Sequence, residues 1–211
     1  DDEGAGDGPG SAPGGPRVPA RYAAALRALG HAAPTPAQLA LWRSPGDAVL
    51  VAPPGSGKTL AYLLPAVSSA ARAAAAGVRG GGVLALVVVP TRELAQQVGA
   101  AARRVPGAPA AAVVHGGTDA AKDAEAVARR RPRLVVGTPG RLGELSEAPE
   151  GGGGPAVALG EVAYCALDEA DKLLGLGMRP QLSALLARLP PPAVRRTVLL
   201  SATMPAAVEE A

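Results

Sequence analysis

The feature that most constrains this chain is a repeated alternation. Short apolar runs, apolar at odd and even positions alike, are separated by stretches of helical character. The runs fall at residues 48–52, 83–89, 110–114, 134–136, 162–167 and 197–200. Between them, helices are expected at 58–76, 93–104, 119–130, 139–147 and 179–189, after a short one at 20–29 and another beginning at Ala37. Pro65 is expected to kink or break the helix that holds it, because it lacks an N–H and crowds the preceding turn. A strand that is apolar on both faces is covered on both sides. Such strands alternating with helices predict an α/β fold with a mostly parallel sheet between two helical layers. Ligands of such sheets bind at the carboxyl ends of the strands, so functional residues should stand just after each run.

The length of 211 residues suits one such domain, spanning 18–211. The first 17 residues carry no large apolar side chain and are dense in Gly and Pro, which predicts a disordered tail. That tail is acidic at its start and has no apolar core, unlike a signal or transit peptide. No run approaches the roughly 20 apolar residues of a membrane span, so no membrane partner is expected. The formal charge of +3 is too small to name a polyanion partner by itself. The single cysteine, Cys165, lies within an apolar run and excludes an internal disulfide; it is expected to be a packing residue.

Directly after the first run stands Ala52-Pro53-Pro54-Gly55-Ser56-Gly57-Lys58-Thr59, with a helix expected to follow. This is the pattern of a phosphate-binding loop, with Ala52 where the first glycine often stands. Gly55 and Gly57 permit the tight turn that aims backbone N–H groups at phosphate oxygens, and the following helix adds its positive end. Lys58 is expected at the β- and γ-phosphates and Thr59 at Mg²⁺. Pro53 and Pro54 remove two N–H groups from the loop and stiffen it. The fifth run ends in Asp168-Glu169-Ala170-Asp171. A carboxylate at the end of a buried strand beside such a loop is placed to hold Mg²⁺, here Asp168 through water, while Glu169 is placed as a general base. Asp171 stands too far along to share that metal and is expected to bond a neighbouring loop.

At this point the sequence resembles the first RecA-like domain of the DEAD-box ATP-dependent RNA helicases. The string Asp168–Asp171 is that family's signature. PTPAQ at 34–38, the phosphate loop, PTRELAQQ at 90–97, the doublet Gly116-Gly117, TPGR at 138–141 and SAT at 201–203 follow the family's order. The resemblance implies a RecA-like P-loop fold, with ATP and Mg²⁺ as cofactors. It implies that Gln38 reads the adenine edge, with Tyr22 the aromatic nearest the place where the family stacks the base. It implies RNA backbone contacts by Arg92, Gly116, Gly117, Thr138, Gly140 and Arg141, without base preference. It implies that Ser201 and Thr203 meet Asp171 and couple ATP state to RNA grip. It also implies an intracellular protein, of nucleus, nucleolus, cytoplasm or organelle alike. A second RecA-like domain, the source of arginine fingers, is expected outside this chain, and without it hydrolysis is expected to be very slow. The same strings also serve an ATP-gated RNA clamp or scaffold that does not unwind. His31 and His115 have no second ligand at metal spacing and read as ordinary polar residues.

Overall fold

The computed structural model describes residues 18–75, 81–149, 153–175 and 177–203. The expected tail at 1–17, most of the expected loop at 77–82 and part of that at 148–155 lie outside these residues. Six strands form one sheet: β1 (Ala48–Val51), β2 (Ala85–Val88), β3 (Ala111–Val114), β4 (Leu134–Gly137), β5 (Tyr164–Asp168) and β6 (Arg196–Ser201). Their order is β1-β6-β5-β2-β4-β3, and every neighbouring pair is parallel.

Because side chains alternate along a strand, each run feeds two cores. Ala85 and Val87 of β2 face the core that includes Tyr22 of α1 (Ala20–Ala28), Leu41 of α2 (Pro36–Arg43), Leu63 of α3 (Lys58–Ala75) and Val98 of α4 (Arg92–Arg104). Leu86 and Val88 face the opposite core. There they meet Val127 of α5 (Ala120–Arg130), Leu142 of α6 (Pro139–Leu145), Leu173 of α7 (Ala170–Gly175) and Leu182 of α8 (Arg179–Leu186). Leu86, Leu134 and Leu142 are fully buried, each worth about 1.5–3 kcal/mol of transfer free energy. Cys165 is buried in the second core, and burial pushes its thiol up to about 12, which leaves it a packing residue. The edge strands depart from two-sided burial: Val49 and Val51 of β1 are 46% and 41% exposed, and Ala111 and Val113 of β3 are half-buried.

Three helices carry side-chain caps at their starts. Thr35 accepts from the Gln38 N–H and the Gln38 side chain accepts from the Thr35 N–H, a reciprocal capping box at the start of α2. Thr91 caps α4 through the Leu94 N–H, and Asp119 caps α5 through the N–H groups of Ala121 and Lys122. Such caps are worth about 1 kcal/mol each, and they fix where each functional loop ends.

The expected break at Pro65 does not occur. Helix α3 runs through Pro65 to Ala75. Proline removes the N–H that would bond the carbonyl four residues back, that of Ala61. The Trp42 indole N–H takes its place, donating to the Ala61 carbonyl oxygen at 2.8 Å. A residue of α2 thus satisfies the acceptor that α3 leaves open and fastens the two helices together. Trp42→Phe should cost about 1–3 kcal/mol by stranding that carbonyl. Pro65→Ala should recover a large part of the loss. Urea denaturation of the two single variants and the double variant measures the coupling; simple additivity would refute this account.

Candidate nucleotide and nucleic-acid site

The parallel order places the loop after β1 beside the carboxyl ends of β6 and β5. Ala52 N donates to the Ser201 carbonyl oxygen at 3.1 Å, which seams the phosphate-loop sequence to the end of β6. Within the loop, Gly55 and Gly57 have φ of +78° and +84°, the left-handed region that glycine adopts freely. At Gly57 a Cβ would meet Gln38 Nε2 at 2.7 Å and the Thr35 side chain at 3.1 Å. The Pro53 carbonyl oxygen accepts from Ser56 N at 3.3 Å and from Lys58 Nζ at 3.0 Å, and Lys58 Nζ also donates to the Ala52 carbonyl. The loop's own carbonyls therefore hold the ammonium. Both prolines are exposed on the outside of the turn. Ser56 Oγ is buried with no partner among the described residues, an unsatisfied hydroxyl inside the loop.

The acidic string lies on the same site. Tyr62 is fully buried one turn after Lys58 on α3, and its hydroxyl donates to Asp168 Oδ2 at 2.8 Å. Burial and the Asp168 charge hold the Tyr62 phenol well above its usual range, so it remains a donor. Asp168 Oδ1 accepts from the Glu169 N–H at 2.9 Å. Burial raises the Asp168 carboxyl above the ordinary carboxylate range; the bonds from Tyr62 and the Glu169 N–H, together with the charge of Lys58, pull the other way. Asp168 thus lies within reach of the Lys58 charge. Glu169 has φ of +52°, a left-handed conformation that costs a non-glycine residue about 1–2 kcal/mol. Its carboxylate pairs with Lys172 at 2.9 Å. Strain of this kind collects at functional positions. Asp171 accepts from Thr203 Oγ1 at 3.3 Å, while Ser201 is buried at the end of β6 with its Oγ accepting from Thr203 N at 3.3 Å.

These groups fit a nucleotide phosphate and a divalent cation. The orphan Ser56 hydroxyl, the glycine turn and the first turn of α3 all lie where phosphate oxygens are stabilised. Among the described residues no cluster of three or more His, Cys, Asp or Glu could hold a metal by itself. Asp168 and Thr59 carry oxygen donors of the kind that could hold Mg²⁺ when substrate phosphates complete its shell.

Gln38 is buried, with Oε1 accepting from Thr35 N at 3.0 Å and Nε2 donating to the Gly57 carbonyl at 3.2 Å. It is therefore clamped onto the phosphate loop, with one amide N–H left over. Tyr22 is not an adenine platform. It is buried in the core of α1, tilted against Trp42 with ring centroids 5.0 Å apart, and the Arg21 guanidinium covers it at 4.6 Å. The aromatic nearest the place where the resemblance puts base stacking is thus a core ring packed on Trp42.

The other half of the same sheet edge, after β2, β4 and β3, gathers the remaining assigned residues. Exposed Arg92 lies 3.7 Å from the Cβ position of Gly117, whose φ is +95°. Thr138 starts α6, and its N donates to the Val114 carbonyl at 3.2 Å, joining the ends of β4 and β3. Gly116 and Gly140 are exposed. His115 bonds Gln96 at 3.2 Å and the Gly116 carbonyl at 3.0 Å. Arg141 differs from the sequence expectation. Its side chain is only 8% exposed and turned inward, bonded to the Thr118 carbonyl at 2.8 Å, the Thr118 hydroxyl at 3.3 Å, Glu144 at 3.0 Å and the Asp123 carboxylate. Arg141 thus braces the turn that follows Gly116-Gly117 and leaves no free fork for a phosphate.

A sequence model of the DEAD/DEAH box helicase family matches residues 35–211. DEAD-box ATP-dependent RNA helicase 30 of Arabidopsis thaliana is 35% identical over 190 residues, covering 88% of this chain and 30% of that protein. ATP-dependent rRNA helicase SPB4 of Chaetomium globosum is 35% identical over 212 residues, covering 87% of this chain and 32% of that protein. The structure of Mss116p bound to ssRNA and AMP-PNP superposes with a TM-score of 0.74 at 27% identity, over 92% of this chain and 40% of that one. The chain spans about a third of the length of these curated relatives.

The raised Asp168 carboxyl has a stability consequence. Folded Asp168 holds its proton more tightly than unfolded Asp168, so the domain gains stability as pH falls through the raised value and carries a penalty above it. Asp168→Asn removes that penalty at pH 7. It should raise the thermal midpoint of the nucleotide-free domain, by about 2–4 °C for each kcal/mol regained, and flatten its pH dependence between the unfolded and folded values. Calorimetry from pH 4 to 8 checks both; a lower midpoint at pH 7 would show that burial does not penalise the charge.

Proposed function

The chain belongs to the DEAD/DEAH box helicase family, and from that premise we propose that it is the ATP-binding half of an RNA helicase motor. The observation that carries this reading is the buried Tyr62–Asp168 bond, which ties the helix of the phosphate loop to the acidic string. ATP phosphates would take the place of the Ala52 and Pro53 carbonyls at Lys58, releasing the ammonium to bear on the β- and γ-phosphates. Mg²⁺, when bound, would neutralise charge on those phosphates; Thr59 and Asp168 are the residues that would hold it. Glu169 would orient the attacking water and accept its proton. The Gln38 amide, held to Gly57 by one N–H, would offer the other to adenine, so base recognition and loop geometry share one side chain.

RNA would lie along the rim of Arg92, Gly116, Gly117, Thr138 and Gly140, contacted through sugar and phosphate and without base preference. The Thr203–Asp171 bond would carry changes at the acidic string to the end of β6. A second RecA-like domain would supply arginine fingers, whose contribution in related NTPases is about 10³ to 10⁵ in rate.

In the full-length protein, Lys58→Ala should abolish ATP binding, and Glu169→Gln should keep ATP binding while losing turnover. Residues 18–211 alone should hydrolyse ATP slower than the full-length protein by about 10³-fold or more. A short RNA duplex, offered beside a matched DNA duplex, reads the output: ATP-dependent separation of the RNA is expected. Nucleotide-dependent RNA retention without strand separation would replace the motor by a clamp. Robust RNA-stimulated turnover by residues 18–211 alone would overturn the dependence on a second domain.

A further inference from the structure

The cations of the two ends of the sheet are used differently. At the carboxyl end, Arg92 pairs with Glu93 at 2.6 Å, Arg141 with Asp123 and Glu144, and Lys172 with Glu169. Lys122 in the first turn of α5 and Arg179 at the start of α8 are also exposed at that end and form no ion pair among the described residues, so the rim keeps part of its charge free. At the opposite, amino end, α4 closes on Arg103 and Arg104, and α5 closes on Arg129, Arg130 and Arg131. All five are exposed, and none forms an ion pair among the described residues. Both helices run antiparallel to the strands they connect, α4 on one face of the sheet and α5 on the other, so their C-termini flank the amino end of β3 and β4 from both sides. Arg133 N donates to the Ala110 carbonyl at 3.1 Å and joins the two connecting loops. The nearby acids are Glu161, held by Arg133 at 3.4 Å, and Glu125, one turn up α5.

Helix C-termini favour cations, and that alone suits Arg103, Arg104, Arg129 and Arg130. It does not explain Arg131. This residue is the C-cap of α5 at φ +43° and ψ +59°, a left-handed conformation that glycine adopts without penalty. An exposed arginine without an ion-pair partner occupies a position whose backbone favours glycine.

We propose that Arg103, Arg104, Arg129, Arg130 and Arg131 form a second RNA-backbone contact, at the end of the domain opposite the nucleotide. It is an electrostatic anchor that holds flanking single-stranded RNA independently of ATP. The identity of the polyanion rests on the RNA reading above; the patch itself does not. Being remote from Lys58 and Asp168, the anchor raises the local concentration of RNA without touching the hydrolytic groups. Its grip is sequence-independent and salt-sensitive, as phosphate neutralisation requires.

The test is equilibrium binding of the full-length protein to a fluorescent single-stranded RNA long enough to leave the groove, with and without a non-hydrolysable ATP analogue, across a salt series. The variants are R103Q/R104Q and R129Q/R130Q/R131G. Without nucleotide, affinity should fall in both. The salt slope should flatten by about 0.7 per arginine removed, or about 2 for the triple variant. The increment in affinity produced by the analogue should persist. R131G alone should keep or raise the thermal midpoint while losing RNA affinity, which separates binding from folding. Unchanged affinity and slope in both variants overturn the anchor and leave the arginines to an acidic protein surface. If the wild-type protein binds no RNA even with the analogue, the helicase reading itself fails.

Discussion

The pairing of β6 between β1 and β5 is the constraint from which the site follows. The phosphate-loop sequence and the acidic string are separated by over a hundred residues, and only this strand order sets their ends side by side. The Ala52–Ser201 backbone bond closes one seam and the Tyr62–Asp168 bond the other. Moving β6 elsewhere in the sheet would leave both motifs intact in sequence and useless in space. Because a parallel sheet points all its carboxyl ends one way, the same edge continues past β5 to β2, β4 and β3. On the proposed reading, nucleotide chemistry and RNA-backbone contact divide this one edge, with β5 and β2 as the shared border.

Much of this was legible in the sequence because the informative signals were local. Apolar runs identified all six strands, and the expected helix starts at Ala37, Glu93 and Asp119 fall within one residue of where α2, α4 and α5 begin. What escaped reading was decided by partners far along the chain. Tyr62 carries no local signal of its role, and its hydroxyl found Asp168 across 106 residues. Pro65 obeyed its local rule by removing a donor, yet the helix survived because Trp42 supplied another. Arg141 turned inward because Asp123 and Thr118 lie within its reach once α5 and α6 pack together. Tyr22 was drawn into the core by Trp42. Helix α7 went unread because six residues starting straight from a strand carry too short a pattern to register.

The two strained non-glycine residues stand at opposite ends of the sheet, and the contrast is instructive. Glu169 follows β5 in a left-handed conformation because its N–H is bound by Asp168 and its carbonyl already accepts from Lys172 and Leu173 at 2.9 and 3.0 Å. The surrounding bonds over-determine that strain, as expected where geometry serves chemistry. Arg131 has only its N–H bond to the Val127 carbonyl to hold it, and its side chain faces solvent. Local structure accounts for the first conformation and leaves the second without an internal reason.

On the proposed reading, the distribution of charge separates RNA capture from catalysis. Paired cations at the carboxyl rim act at short range, where glycine and threonine let a backbone approach closely. Arg92, Arg141 and Lys172 add little pull at a distance, because each is neutralised by a neighbour and screened within about 10 Å at ordinary salt. Unpaired arginines do the reverse: they attract from afar and carry little geometric information. A motor that must release its strand after hydrolysis gains from this division, since weakening the grip at the rim need not surrender the whole RNA.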